Sequence, residues 1–139
     1  MISTLQQAAH AAHLIGINFH NVSGRRKEDA STNNKTDVAI SIATTEQHDE
    51  KSVSCRFSLT ADHPEADYSI EVEIRYELSD SVQWSEDLLR GFIEEIAIMA
   101  AFPYLREGLA GTAARLGADV PFLGILRRGE FQMGDAKNQ

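Results

Sequence analysis

The apolar residues of this chain follow two different periods. Up to about residue 78 they mostly alternate with polar residues, and after residue 84 they recur at three- and four-residue steps. The first period is typical of half-buried β-strands and the second of an amphipathic helix. The helical stripe consists of Leu88, Leu89, Phe92, Ile93, Ile96, Met99 and Ala100.

The predicted helical segment spans residues 84–117. Ser85 is placed to cap its first turn. Pro103 lacks an amide proton and disfavours a helical residue before it, so we expect the helix to end or kink near Ala101 and then resume. Gly117 follows the last apolar position and is expected to end the second part in a left-handed conformation.

Four segments alternate strongly enough to predict strands, at residues 13–22, 36–45, 52–62 and 68–78. A polar loop at 23–35 and turns at 46–50 and 63–65 separate them. On the first strand we expect Ile15, Ile17 and Phe19 to share one face. The loop and the two turns that connect the strands favour an antiparallel meander with one face in solvent. On the last strand that solvent face carries Ser69, Glu71, Glu73, Arg75 and Glu77.

The fold class predicted from these patterns is α+β: a four-stranded antiparallel sheet, followed by a long helical segment kinked at Pro103 that packs on one sheet face. Residues 3–12 predict a short helix or a frayed arm, with Ser3 and Gln6 fitting a capping box. The run at 120–126 suits either an extended segment over the helix or a fifth strand. We expect a single domain over residues 1–131 and a disordered tail at 132–139.

Composition narrows the classes of function. The chain has 139 residues and a net charge of −8, which disfavours non-specific binding to nucleic acids and anionic membranes. It has one cysteine, Cys55, on the apolar face of a predicted strand, which favours an unreactive core thiol and a reducing cytoplasm. No apolar run approaches the length of a membrane span. The first residues lack a basic region followed by an apolar block, so we expect no signal peptide.

No catalytic constellation stands out in the sequence. The histidines have no cysteine or aspartate at ligand spacing, and His48, Asp49 and Glu50 are adjacent turn residues that are unsuited to converge on one ion. We therefore expect no enzyme, no metal and no cofactor. Gly108 and Gly111 give the second helical part a small-residue side, which suits either packing within the chain or a subunit interface.

Residues 102–107, Phe-Pro-Tyr-Leu-Arg-Glu, match a motif at fixed positions. Together with the four preceding strands, they resemble the SecB family of protein-export chaperones, whose long helix begins with Phe-Pro-Tyr-x-Arg-Glu. The segment 117–123 resembles the family's segment after that helix, and Ile17-Asn18-Phe19 resembles its Ile-Ser-Phe. The acidic residues that usually flank this last motif are replaced by Gly16 and His20. The glycine-rich crossover and most of the family's C-terminal helix are also missing, so the chain resembles an atypical, shortened member.

The resemblance implies a homodimer or homotetramer that holds unfolded polypeptides in apolar grooves without ATP. It also implies that the client is delivered to the translocase motor SecA, which would dock on an acidic sheet surface. Some relatives instead act as chaperones for an antitoxin. The docking residues implied are Glu71, Glu73 and Glu77. The client-binding residues implied are Trp84, Phe92, Phe102, Tyr104, Phe122, Leu123, Ile125 and Leu126.

Two other hypotheses about function compete with that of a general chaperone. One is a SecB-fold interaction module dedicated to a single protein partner, which would not suppress the aggregation of unrelated proteins. The other is a small-molecule-binding domain or enzyme, which would require an enclosed pocket with converging polar groups.

Overall fold

A four-stranded sheet and a long C-terminal helix make up most of the protein. In the computed structural model, the residues described are 1–28 and 39–121. The elements in chain order are α1 (Leu5–Ala11), β1 (Ala12–Arg26), β2 (Ala39–Asp49), β3 (Ser52–Asp62), β4 (Ala66–Leu78), α2 (Glu86–Phe92), a π-helical segment (Ile93–Ala97) and α3 (Ile98–Leu116). This architecture confirms the predicted α+β class.

The sheet has the order β1-β4-β3-β2, and every neighbouring pair is antiparallel. The predicted meander is therefore correct for β2, β3 and β4 and wrong for β1, which pairs with β4 rather than β2. Burial explains why β3 and β4 are central. Alternate residues of both strands are buried, from Val53 to Ala61 in β3 and from Ala66 to Leu78 in β4.

The helical region differs from the prediction at Pro103. The helix does not end near Ala101, because α3 continues through Pro103 to Leu116. Pro103 and Met99 are both exposed, so water can reach the Met99 carbonyl that loses its amide partner. The irregularity lies earlier, in the π-helical segment. Gly117, with φ at 66°, ends α3 as predicted.

Three boundaries from the sequence were wrong. The capping box of α1 uses Thr4 and Gln7 rather than Ser3 and Gln6. Strand β1 continues to Arg26, into the predicted loop, because it stays paired with β4 as far as Ala66. Strand β2 continues to Asp49, so residues 46–49 belong to a long hairpin rather than a turn.

One core lies between the sheet and the helices. Helix α3 contributes Leu105, Leu109 and Ala113 to it, and α1 closes one end with Ala8 and Ala11. Gly108 brings α3 close to β4, because a Cβ atom there would lie 2.9 Å from Ile70 Cγ2. The predictions for residues 29–38, for the run after residue 121 and for the tail lie outside the described residues.

Candidate functional site

Four large apolar side chains are exposed beside the edge of the sheet. Leu14 is 48% exposed, Phe19 41%, Val22 45% and Tyr104 39%. The first three belong to β1 and the fourth to α3. We call this set the β1–α3 strip. Exposed apolar surface interacts unfavourably with water, so it favours contact with other apolar groups.

The position of β1 explains why the strip is exposed. Leu14, Phe19 and Val22 pair with the buried residues Tyr76, Val72 and Ile70 of β4, so they point to the same side of the sheet as α3. Helix α3 packs closely over β4 and over β1 near Gly24, but it leaves Leu14, Phe19 and Val22 of the outermost strand partly exposed. The helix contributes Tyr104, whose ring lies edge-on to Phe19 with centroids 6.3 Å apart.

Two register shifts in β1 change which residues reach each face. They occur between Leu14 and Gly16 and between Phe19 and Asn21, so Ile15 and His20 are extra residues. Ile15 is 51% exposed and lines a shallow cavity with Ser54 and Arg75 on the opposite face. The expectation that it shares a face with Ile17 and Phe19 was therefore wrong.

Three of the four described residues of the predicted client-binding set are at least partly exposed. Tyr104 belongs to the β1–α3 strip. Phe102 is half-buried on α3, with the Arg106 guanidinium 5.2 Å from its ring centroid. Trp84 is half-buried, and its indole nitrogen donates a hydrogen bond to the Asp49 carbonyl over 2.8 Å.

Phe92 does not fit its predicted role as a groove residue. It is fully buried and lies edge-on to Tyr76 and Trp84, at centroid distances of 5.1 and 5.7 Å. The structure places it in the core, where a client cannot reach it. The remaining members of the set, Phe122, Leu123, Ile125 and Leu126, lie outside the described residues.

The predicted docking carboxylates lie on the sheet face opposite α3. They share it with Arg56 and His20 from neighbouring strands. Glu71 pairs with Arg56 over 3.1 Å, and His20 Nε2 lies 3.0 Å from Glu73 Oε1. Arg56 also donates to His20 Nδ1 over 2.6 Å. Glu77 is exposed. Arg56 thus partly neutralises one of the three carboxylates and His20 hydrogen-bonds a second, which the sequence of β4 alone did not indicate.

Burial raises the pKa of the Cys55 thiol to about 12, so Cys55 is the core thiol predicted from its position. Within residues 1–28 and 39–121, no three His, Cys, Asp or Glu side chains are grouped to hold a metal ion. Nor is any helix described there long and apolar enough to cross a membrane.

Sequence reasoning found one member of the β1–α3 strip, Tyr104, through the family motif. It missed Leu14, Phe19 and Val22 as exposed residues, because an alternating strand is normally taken to bury its apolar face. The available signals were two adjacent pairs that break the alternation of β1, the apolar pair Leu14-Ile15 and the polar pair His20-Asn21. Gly16 was a further signal, because glycine within a strand often marks a bulge.

No protein-family model matches the chain. Among curated proteins, it is 26% identical over 132 residues to the SecB-like chaperone SmegB of Mycolicibacterium smegmatis, covering 95% of this chain and 87% of that one. This similarity extends over nearly the whole length of both proteins.

Among solved structures, the SecB-like chaperone Rv1957 of Mycobacterium tuberculosis, in complex with a ChAD peptide from the Rv1956 HigA1 antitoxin, has the same fold. The TM-score is 0.72 at 17% identity, with 88% of this chain and 96% of that chain covered. In sequence the chain is thus similar to a SecB-like chaperone, and it shares the fold of another.

Proposed function

We propose that this protein is an ATP-independent holdase, which binds non-native polypeptides at the β1–α3 strip. The observation that carries the proposal is the exposure of Leu14, Phe19, Val22 and Tyr104 on one side of the sheet edge. Similarity to a SecB-like chaperone over 95% of the chain supports it.

The binding energy would come from removing apolar surface from water. At about 25 cal/mol per Å², a client that covers roughly 300 Å² of apolar surface gains about 7 kcal/mol before the cost of ordering is subtracted. This mechanism needs no nucleotide or cofactor. Release follows when the client folds or is transferred to another protein.

An antitoxin segment is the client class best supported for this chain. The structure that shares its fold is a complex with an antitoxin peptide. Export through SecA has less support, because Arg56 and His20 already pair with Glu71 and Glu73. A docking role for Glu71, Glu73 and Glu77 stays a prediction, which is tested by reversing their charges and measuring SecA binding.

We test the holdase proposal by light scattering of chemically denatured citrate synthase diluted into buffer with the protein. A variant with Phe19→Ser and Tyr104→Ser should need about tenfold more protein for the same suppression. The matched control is Met99→Ser with Val120→Ser, which alters two apolar residues outside the strip that are 36% and 51% exposed. Equal suppression by both variants would contradict the assignment of the strip.

The alternative is an interaction module dedicated to one partner, and the peptide complex of the structural relative also favours it. A well-folded protein that leaves citrate synthase aggregation unchanged but binds a co-purified protein would support this alternative. Suppression of several unrelated aggregating proteins would exclude it.

We further propose that the protein is a homodimer or homotetramer. Gly108 is buried against the sheet, whereas Ala114, on the outer side of α3, is exposed and Gly111 is half-buried. Small residues on that side allow another helix to approach closely. The mass measured by multi-angle light scattering should fall in an Ala114→Glu variant, and a monomeric wild-type protein would refute the proposal.

A further inference from the structure

Strand β1 carries one extra residue in the middle of the β1–α3 strip. The register with β4 shifts between Phe19 and Asn21, so His20 is an extra residue. In a regular strand, side chains three positions apart point to opposite faces of the sheet. Phe19 and Val22 are three positions apart, and they reach the same face only because the extra residue lies between them. The strip therefore depends on where β1 bulges.

The packing of α3 on β1 fixes the position of this bulge only within a few residues. Gly24 cannot be replaced under α3 by a neighbouring residue of β1, because an added Cβ atom would lie 2.5 Å from Thr112 Cγ2. If the bulge lay two residues further on, Asn21 would take the place of Val22 in the strip. Val22 is 45% exposed, so its burial opposes that shift only weakly. The apolar contacts of the strip thus specify the bulge poorly by themselves.

The side chain of His20 supplies a further interaction on the opposite face of the sheet. His20 Nε2 lies 3.0 Å from Glu73 Oε1 on β4. Arg56 donates to Nδ1 over 2.6 Å, which leaves the ring hydrogen on Nε2 for the Glu73 carboxylate. The next carboxylate along β4, Glu71, would face His20 if the bulge moved on, but it already pairs with Arg56 over 3.1 Å. The bond to Glu73 therefore favours the observed position of the bulge.

We propose that His20 is a positioning residue of the β1–α3 strip. Its hydrogen bond to Glu73 fixes the bulge, and the bulge directs Phe19 and Val22 to the same side of the sheet. His20 acts through the backbone of β1 and does not itself contact the client. This inference rests on the proposed holdase function, because it concerns the surface at which the client binds.

Substitutions at His20 test this role through the aggregation of chemically denatured citrate synthase. His20→Ala removes the bond to Glu73. It should raise the amount of protein needed for the same suppression by about fivefold, the effect of losing one valine from the apolar contact. His20→Gln retains a donor for Glu73 and should stay within about twofold of the wild-type protein. Equal losses in the two variants would contradict the role of the hydrogen bond.

Deletion of His20 separates positioning from ordinary stabilisation. Without the extra residue, the pairs on either side of the bulge join directly, so Phe19 and Val22 still face the same side. The deletion should therefore suppress aggregation within about twofold of the wild-type protein, although it also removes the bond to Glu73. A deletion as harmful as His20→Ala would overturn the proposal.

The partner carboxylate provides a matched test. Glu73→Ala should reproduce the loss seen in His20→Ala, and the double variant should be no worse than either single variant, because both remove the same bond. Arg56→Ala is the control, since it leaves Glu73 available to His20 and should leave suppression unchanged. Additive losses at His20 and Glu73 would show that the two residues act independently and would refute the proposal.

Methyl NMR reads the orientation of Val22 directly, without any client. Val22 and Ile70 are opposite each other, so cross-peaks between their methyl groups should be strong in the wild-type protein and in His20→Gln. They should weaken by at least about twofold in His20→Ala. Unchanged cross-peaks in His20→Ala would overturn the positioning role and leave the holdase function standing. Weakened cross-peaks with unchanged suppression would instead show that the strip is not the client site, and both proposals would be wrong.

Discussion

The sheet ends in β1 on one side and in β2 on the other, and the two edges expose different groups. Strand β1 has two register shifts and carries large apolar side chains that α3 leaves uncovered. Strand β2 has an unbroken register, and the large apolar residues Ile40 and Ile42 are half-buried. One edge thus offers side chains for contact, and the other offers an uninterrupted backbone.

This difference follows from the position of one helix. Helix α3 packs over β4 at Gly108, where an added Cβ would lie 2.9 Å from Ile70 Cγ2, and over the last part of β1 at Gly24, where an added Cβ would lie 2.5 Å from Thr112 Cγ2. The rest of β1 is less well covered, so Leu14, Phe19 and Val22 stay partly in solvent. The following predictions test how the two edges and the centre of the sheet differ in burial and stability.

The largest expected effect concerns a pair of residues opposite each other, Val22 at the edge and Ile70 in the centre. Ile70 is fully buried, so Ile70→Ala should lower the free energy of unfolding by about 2–5 kcal/mol. Val22 is 45% exposed, so Val22→Ala should lower it by less than about 1 kcal/mol. Urea denaturation measures both. Similar losses would mean that β1 is covered in solution, for instance by a second subunit.

The next effect concerns the two glycines of α3. At Gly108 an added methyl group would lie 2.9 Å from Ile70 Cγ2, so Gly108→Ala should cost about 1–3 kcal/mol of unfolding free energy. At Gly111 the nearest neighbour is Glu107 Oε1 at 3.7 Å, so Gly111→Ala should stabilise a monomer by about 0.4–1 kcal/mol. Destabilisation by Gly111→Ala would instead indicate that another helix packs there.

A smaller effect is expected from the charges between the edges. Arg56 is 41% exposed and Glu71 24%, so their ion pair is well solvated. Arg56→Ala should therefore change the unfolding free energy by no more than about 1 kcal/mol. It should also leave suppression of citrate synthase aggregation unchanged. A large loss of suppression would move client binding from the β1–α3 strip to the opposite face.

The smallest effect concerns pH and the hairpin that joins β2 to β3. The Asp49 carboxylate accepts a hydrogen bond from the Lys51 amide over 2.8 Å. That bond is the main cause that holds the pKa of Asp49 below its ordinary value of 3.8. A lowered pKa in the folded state gives stability that is present above pH 3.8 and is lost as the pH falls further.

An Asp49→Asn variant tests this hairpin contribution. Its unfolding free energy should decline less steeply than that of the wild-type protein as the pH falls below 3.8. Between pH 5 and 7 the unfolding free energies of the two proteins should change with pH in the same way, because the wild-type carboxylate stays ionised there. Parallel curves down to the acid limit would show that Asp49 does not contribute to the stability of the β2 edge.

The sequence identified one exposed residue of the site and misassigned one buried residue. Tyr104 was identified through the Phe-Pro-Tyr-Leu-Arg-Glu motif, whereas Phe92 was assigned to a groove although it lies in the core. Both residues are apolar and both are helical. They differ in whether the side chain points towards the sheet or towards solvent. The π-helical segment Ile93–Ala97 lies between them and changes which side of the helix later residues occupy.

Local patterns fixed much of this protein in advance. Alternation of apolar residues determined the four strands and the buried faces of β3 and β4, and Ser85 and Gly117 marked the two ends of the helical region. These features depend on neighbours within a few residues, so the sequence contains them directly. The Phe-Pro-Tyr-Leu-Arg-Glu motif, through its resemblance to the SecB family, predicted how these elements combine into a fold.

The tertiary structure decided which strands are edges and what those edges expose. The pairing of β1 with β4, the bulges at Ile15 and His20, and the pairing of Glu71 and Glu73 with Arg56 and His20 all join residues far apart in the chain. Long-range pairing depends on which partners bury the most apolar surface together. That sum is made over the whole sheet, so no single segment of the sequence reveals it.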